Sequence, residues 1–145
     1  MNLDGVDSTV KRTLSAVGAA AAVIVGTIAA APAASAADGY CGSSVSAERN
    51  GYWTFVPATS GGSTSCVMSR GASSEAVTEL QQALTICHGL DTGGIDGVYG
   101  AKTEAAVRTV QSQHGLSADG IYGPNTRNVV SWRWYANIGA TCARL

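Results

Sequence analysis

The chain has 145 residues, with nine Lys and Arg against ten Asp and Glu and a formal net charge of −1. Neither sign of charge forms a run, which excludes the electrostatic footprint of a nucleic-acid or anionic-membrane binder. Once the first stretch is set aside as read below, roughly 110 residues remain, room for one compact domain and not for a large catalytic one.

In chain order, Lys11 and Arg12 precede an uncharged run that closes on Ala34 and Ala36, a pair suited to signal-peptidase cleavage. Residues 1–36 therefore read as a signal peptide. The run from Leu14 to Ala34 also has the ~20 residues that span a bilayer. It is, however, rich in Ala and Gly, carries Ser15 and Thr27 and lacks a cationic stop, which favours cleavage over anchoring. The expected location is extracellular, with no membrane contact after cleavage.

All four cysteines, Cys41, Cys66, Cys87 and Cys142, lie beyond that point, and an even count in an exported chain implies two disulfides. Three pairings are open. Cys41 with Cys66 and Cys87 with Cys142 are favoured: the first ties down the N-terminal segment and the second fastens a helix end to the C-terminal tail.

Residues 37–70 are rich in Ser, Gly and Thr around one apolar island, Tyr52 to Pro57, whose alternation predicts a short strand ending at the proline. The expectation is an irregular arm tethered by a disulfide to a domain over residues 71–145. From Ser73 the period becomes about 3.6, with Val77, Leu80, Leu84 and Cys87 on one face. A helix is predicted from about Ser74 to His88, with Ser73 or Ser74 as cap, Glu75 in its first turn and Gly89 after its last. Thr103, Ala106, Val107, Val110 and His114 share a face of a second helix that ends at Gly115. A third opens at Pro124, a residue favoured at the first helical position, and is expected to carry Val129, Val130 and the cluster from Trp132 to Tyr135. The predicted fold class is mainly α: three helices, an irregular or short-strand arm, and disulfide staples.

One motif occurs twice. Asp96, Gly97, Tyr99, Gly100, Thr103 and Val107 recur 23 residues later as Asp119, Gly120, Tyr122, Gly123, Thr126 and Val130. Asp-Gly supplies a turn with positive φ, the tyrosine fills the space between successive helices, and the second glycine begins the next helix.

These strings, together with Val77-Thr-Glu-Leu80-Gln81, Val110-Gln111 and His114-Gly-Leu, resemble the peptidoglycan-binding domain often appended to bacterial cell-wall hydrolases, over Ser69 to about Tyr135. The resemblance implies a three-helix, non-catalytic module that docks on peptidoglycan through a shallow groove beside the repeated loops. Two departures stand out: Val110 occupies a position where the family usually has Phe, and Trp132-Arg-Trp134-Tyr135 replaces an aliphatic ending.

Catalytic and metal chemistry find no support in the sequence. Asp96 and Asp119 could be nominated as a glycosidase pair, yet both precede Gly in turns, where an Asp side chain commonly bonds local backbone N–H groups. His88 and His114 sit at helix ends without the neighbours of a zinc site. Cys87 beside His88 is better read as half of a disulfide than as a nucleophile. The calcium-loop pattern fails at Thr92, Gly94 and Thr103. No cofactor and no metal are expected. Gln81 and Gln111, at matching positions of two helices, are expected to bond loop backbone.

For ligand binding, Tyr99, Tyr122 and Trp132 or Trp134 could stack on sugars, with Arg127 as a carboxylate partner and Asp96 and Asp119 completing the candidate set. The tyrosines read equally well as core. The leading functional expectation is a secreted, cell-wall-associated, non-catalytic module that binds peptidoglycan, by glycan or stem peptide. The alternative is a small disulfide-stabilised inhibitor or protein-interaction module using the same fold. Oligomeric state is open.

Overall fold

The computed structural model describes residues 36–145. The signal-peptide reading falls on residues that lie, but for Ala36, outside this range. Strands β1 (Ser43–Arg49) and β2 (Tyr52–Ala58) form a hairpin; helices α1 (Glu75–Gln82), α2 (Ala101–Gln113) and α3 (Pro124–Val129) follow; β3 (Trp132–Ala136) and β4 (Gly139–Ala143) make a second hairpin. The four strands form one antiparallel sheet in the order β1-β2-β3-β4.

The mainly α expectation is therefore corrected to a mixed α/β fold, at two places. The Ser-rich stretch expected to be irregular is β1, paired with β2 from Ser43↔Ala58 to Arg49↔Tyr52 across Asn50-Gly51. Both turn residues have positive φ, 53° and 79°, the backbone that matches the twist of a two-residue hairpin. At the other end, Trp132 to Tyr135 do not continue the third helix. Val130 turns to extended backbone (φ −64°, ψ 135°) and closes α3. From there side chains alternate, Trp132 and Trp134 into the core and Arg133 and Tyr135 away from it. Aromatic residues fit this half-buried pleated surface.

The two hairpins meet at one registered pair, Trp53↔Tyr135, whose rings stack at 6.3 Å between centroids. The face of the sheet that carries Val56, Trp132 and Trp134 shares a core with Val77, Leu80 and Leu84 of the first helix and Val107 and Val110 of the second. Val110 is fully buried among them. Helix α1 continues through a π-helical turn, Ala83–Cys87, to His88. The segment between hairpin and helix runs as an extended strap: Met68 exchanges backbone hydrogen bonds with Tyr122, and Ala72 accepts one from Tyr99. Disulfides join Cys41 to Cys66 and Cys87 to Cys142.

His88 adds a pH-sensitive contact where the π turn meets the second hairpin. Its Nε2 accepts a hydrogen bond from the Ser131 backbone N–H at 2.9 Å, a role open only to neutral imidazole. Burial, then the nearby His114 and Arg144, hold its pKa below the usual histidine value of 6.5. The native state thus resists protonation that the unfolded chain accepts. Stability from this group is complete above the unfolded pKa and is lost as pH falls through 6.5 toward the folded value. Thermal melts at pH 7.5 and pH 5 should show a larger loss for the wild type than for His88→Gln; equal losses would remove His88 from the account.

Candidate ligand-binding site

Two buried glutamines build the two repeated loops. Gln81 donates through Nε2 to Asp96 Oδ1 (2.9 Å), the Val98 carbonyl (3.0 Å) and Thr103 Oγ1 (3.2 Å), while its Oε1 accepts from the N–H groups of Asp96 and Gly97. Gln111 repeats the pattern with Asp119 Oδ1 (2.7 Å), the Ile121 carbonyl (2.9 Å) and Thr126 Oγ1 (3.1 Å), and accepts from Gly120 N–H. Each aspartate closes its turn by accepting the backbone N–H two residues on, Val98 or Ile121. The Gln81 carboxamide and that N–H hold Asp96 below the usual carboxylate range. The glycines that follow have φ +74° and +73°. A Cβ at Gly97 would lie 2.9 Å from Thr78 Oγ1, and one at Gly120 2.6 Å from Glu104 Cγ, so neither turn accepts a side chain without displacement.

The candidate aromatic residues sit behind these loops. Tyr99 and Tyr122 are fully buried. Tyr99 donates its hydroxyl to the Gly120 carbonyl at 2.9 Å, bracing the second loop from beneath. Tyr122 packs edge-on against Trp132, and its hydroxyl has no hydrogen-bond partner among the described residues. Burial pushes both phenols far above the usual tyrosine range. Trp132 and Trp134 are also buried, their indole N–H groups donating to the Arg127 and Ala143 carbonyls. The Arg49 guanidinium lies 4.6 Å over the Trp134 ring. Arg127 reaches back to Thr64 Oγ1 at 2.7 Å and along α3 to Asn128. The structure thus gathers Asp119, Tyr122 and Arg127 around the second loop, with Tyr99 beneath it, and leaves Trp134 under the second hairpin.

The two loops differ in one respect that matters for binding. Beside the second lies an open cleft of about 380 Å³ whose walls include Gln111, Ser117, Asp119, Ile121, Pro124 and Asn125. At the first loop the chain carries extra residues, Asp91 to Ile95, where the second has only Ser117 and Ala118. Thr92 is buried there; its carbonyl accepts from Thr103 Oγ1, and its hydroxyl donates to the Gly94 carbonyl and lies 3.0 Å from Thr85 Oγ1. Gly93 lies against the Lys102 stem, whose ammonium pairs with Asp91 at 2.8 Å. The space that is open at the second loop is filled at the first.

Ser117, Ile121 and Asn125 were not singled out from the sequence. The available signal was the shorter second loop. Another cleft, of about 400 Å³, runs along the strap beside Tyr40, Arg70 and Ser73. Among the described residues, no group of three or more His, Cys, Asp or Glu side chains could hold a metal ion.

Residues 73–130, which contain both loops and, Val67 apart, the residues that line the open cleft, match the sequence profile of the family described as "Putative peptidoglycan binding domain". This segment of the chain belongs to that family. A probable N-acetylmuramoyl-L-alanine amidase of Bacillus licheniformis is 49% identical over 57 residues, covering 36% of this chain and 16% of the amidase. A zinc D-Ala-D-Ala carboxypeptidase of Streptomyces albus G is 47% identical over 66 residues, covering 43% and 25%. Among solved structures, the SleB N-terminal domain shares 44% identity over 43% of this chain and 85% of its own, with a TM-score of 0.41. The chain spans only about a sixth to a quarter of the length of these two curated relatives.

Proposed function

We propose that this protein is a secreted, non-catalytic module that holds onto the bacterial cell wall by binding peptidoglycan at the second repeated loop. The observation that carries the reading is the coincidence of the family segment with an open cleft whose floor is fixed by Gln111. Two disulfides fit an extracytoplasmic location. Asp96 and Asp119 are committed to closing turns, which favours binding over acid–base chemistry. In the proposed organisation residues 1–36 are the leader, and residues 37–70 and 71–145 act together as one binding unit. Asp119 and the backbone around it meet the ligand; Tyr99 and Tyr122 set the loops from behind.

Co-sedimentation of the oxidised protein with purified sacculi tests this. Saturable pelleting is expected for the wild type, reduced roughly tenfold or more in Ser117→Trp, which fills the cleft from an exposed position, with no release of soluble wall fragments. A wild type that stays in the supernatant overturns the reading, and fragment release overturns its non-catalytic part.

A further inference from the structure

Peptidoglycan offers glycan strands and peptide stems, which differ in the charged groups they present. Among the described residues that line it, Asp119 is the one ionisable side chain; the others are carboxamides, hydroxyls, apolar groups and glycines. Asp119 Oδ1 is occupied by Gln111 Nε2 and the Ile121 N–H. Oδ2 has no hydrogen-bond partner among the described residues, so the carboxylate keeps half of its accepting capacity. Around it, Ile121 is exposed over nearly half of its surface and Pro124 forms apolar wall. Ser117 and Asn125 add exposed groups able to bond a peptide backbone.

A lone carboxylate beside apolar wall and amide-bonding groups is complementary to an alkylammonium on a peptide. It is a poor match to a carboxylate-bearing segment, and neutral sugars would leave its charge unanswered. The aromatic side chains that could stack on sugar rings in this segment, Tyr99 and Tyr122, are withdrawn into the core. The matching carboxylate of the first loop, Asp96, stands where Thr92 and Gly93 fill the equivalent space and where the Lys102 ammonium already belongs to the loop.

We infer that the cleft beside Asp119 recognises the peptide stem of peptidoglycan through a free side-chain amine, one stem per chain, while the first loop is closed by its own residues. This rests on the wall-binding reading above. The site would bind stems whose diamino acid is not cross-linked, because cross-linking converts that ammonium into an amide and removes its charge.

The test uses the full oxidised protein and a synthetic tetrapeptide stem with lysine at its third position. Amide resonances of Ser117, Asp119, Ile121 and Asn125 should shift in a saturable titration. Binding should be about fivefold or more weaker for the Nε-acetylated peptide, for Asp119→Asn and at high salt. Asn keeps the oxygen that closes the turn and replaces the charged, unoccupied Oδ2 by a neutral NH2 donor. Asp91→Asn, which removes an exposed carboxylate from the closed loop, should bind as the wild type does. Equal affinity for acetylated and free peptide, or binding only to peptide-free glycan strands, overturns the inference while pelleting with sacculi still stands. Loss of pelleting overturns the wall-binding reading and this one with it.

Discussion

Replacing Gln81 by Leu is expected to lower the stability of the domain by about 3 kcal/mol or more, a large share of the 5–15 kcal/mol typical of a folded domain. The side chain is fully buried and serves five hydrogen bonds, to the first loop and to Thr103 at the start of α2. A leucine of similar volume preserves packing but leaves the Asp96 and Gly97 N–H groups without their acceptor and takes from Thr103 Oγ1 the hydrogen bond it accepts. Because the carboxamide ties α1 to this turn from within, its loss frees the loop as well as weakening the helix. Urea unfolding measures the effect. A change below about 1 kcal/mol would mean that water replaces the side chain without cost, and the loop would then not be a buried network.

The second large effect is expected from Cys87→Ser/Cys142→Ser. This disulfide closes 55 residues of sequence, against 25 for Cys41–Cys66. In the loop-entropy account the longer closure contributes about 4.2 kcal/mol and the shorter about 0.7 kcal/mol less. For a domain of this size 4 kcal/mol corresponds to roughly 20 °C in melting temperature. The longer bridge also anchors β4, a five-residue edge strand whose side chains are mostly exposed and which has little burial of its own. Thermal unfolding of the double variant checks the magnitude. A loss under about 5 °C would show that the unfolded chain gains little freedom when the bridge is absent.

Much of the helical layer was legible because its signals are local. Val77, Leu80 and Leu84 fall on one face at a period of 3.6 and are all buried, Gly89 and Gly115 take the left-handed conformation after their helices, and Pro124 opens α3. The sheet was missed for a different reason. Trp132-Arg133-Trp134-Tyr135 does alternate, but the strand's partners are Gly139–Ala143, a sequence with little strand preference, and, at Tyr135, Trp53, far away along the chain. The Asn50-Gly51 hairpin signal was present but lay in a Ser-rich stretch whose strand, Ser43–Arg49, has no strongly apolar face. The loops were legible as turns, since Asp-Gly dictates them. Whether the tyrosines beside them face solvent or core is decided by what packs behind, which no local pattern records. The openness of one loop and closure of the other depends on residues 91–95, whose Thr92 looks like ordinary loop sequence until its hydroxyl and carbonyl are placed.

The narrow seam between the two hairpins has a consequence for the order of folding events. Each hairpin closes across a short turn, and each helix forms from neighbours in sequence. Trp53 and Tyr135, by contrast, lie roughly eighty residues apart and are joined by one registered pair, so the entropy of closing that long loop is lost before many contacts repay it. The sheet therefore completes late, after the helical layer has brought the chain ends within reach. Cys142 lies on β4, the strand beside β3 of that seam, and its bridge to Cys87 ties the last hairpin directly to the end of the first helix, so oxidation of the longer bridge records the docking of that hairpin on the helical layer.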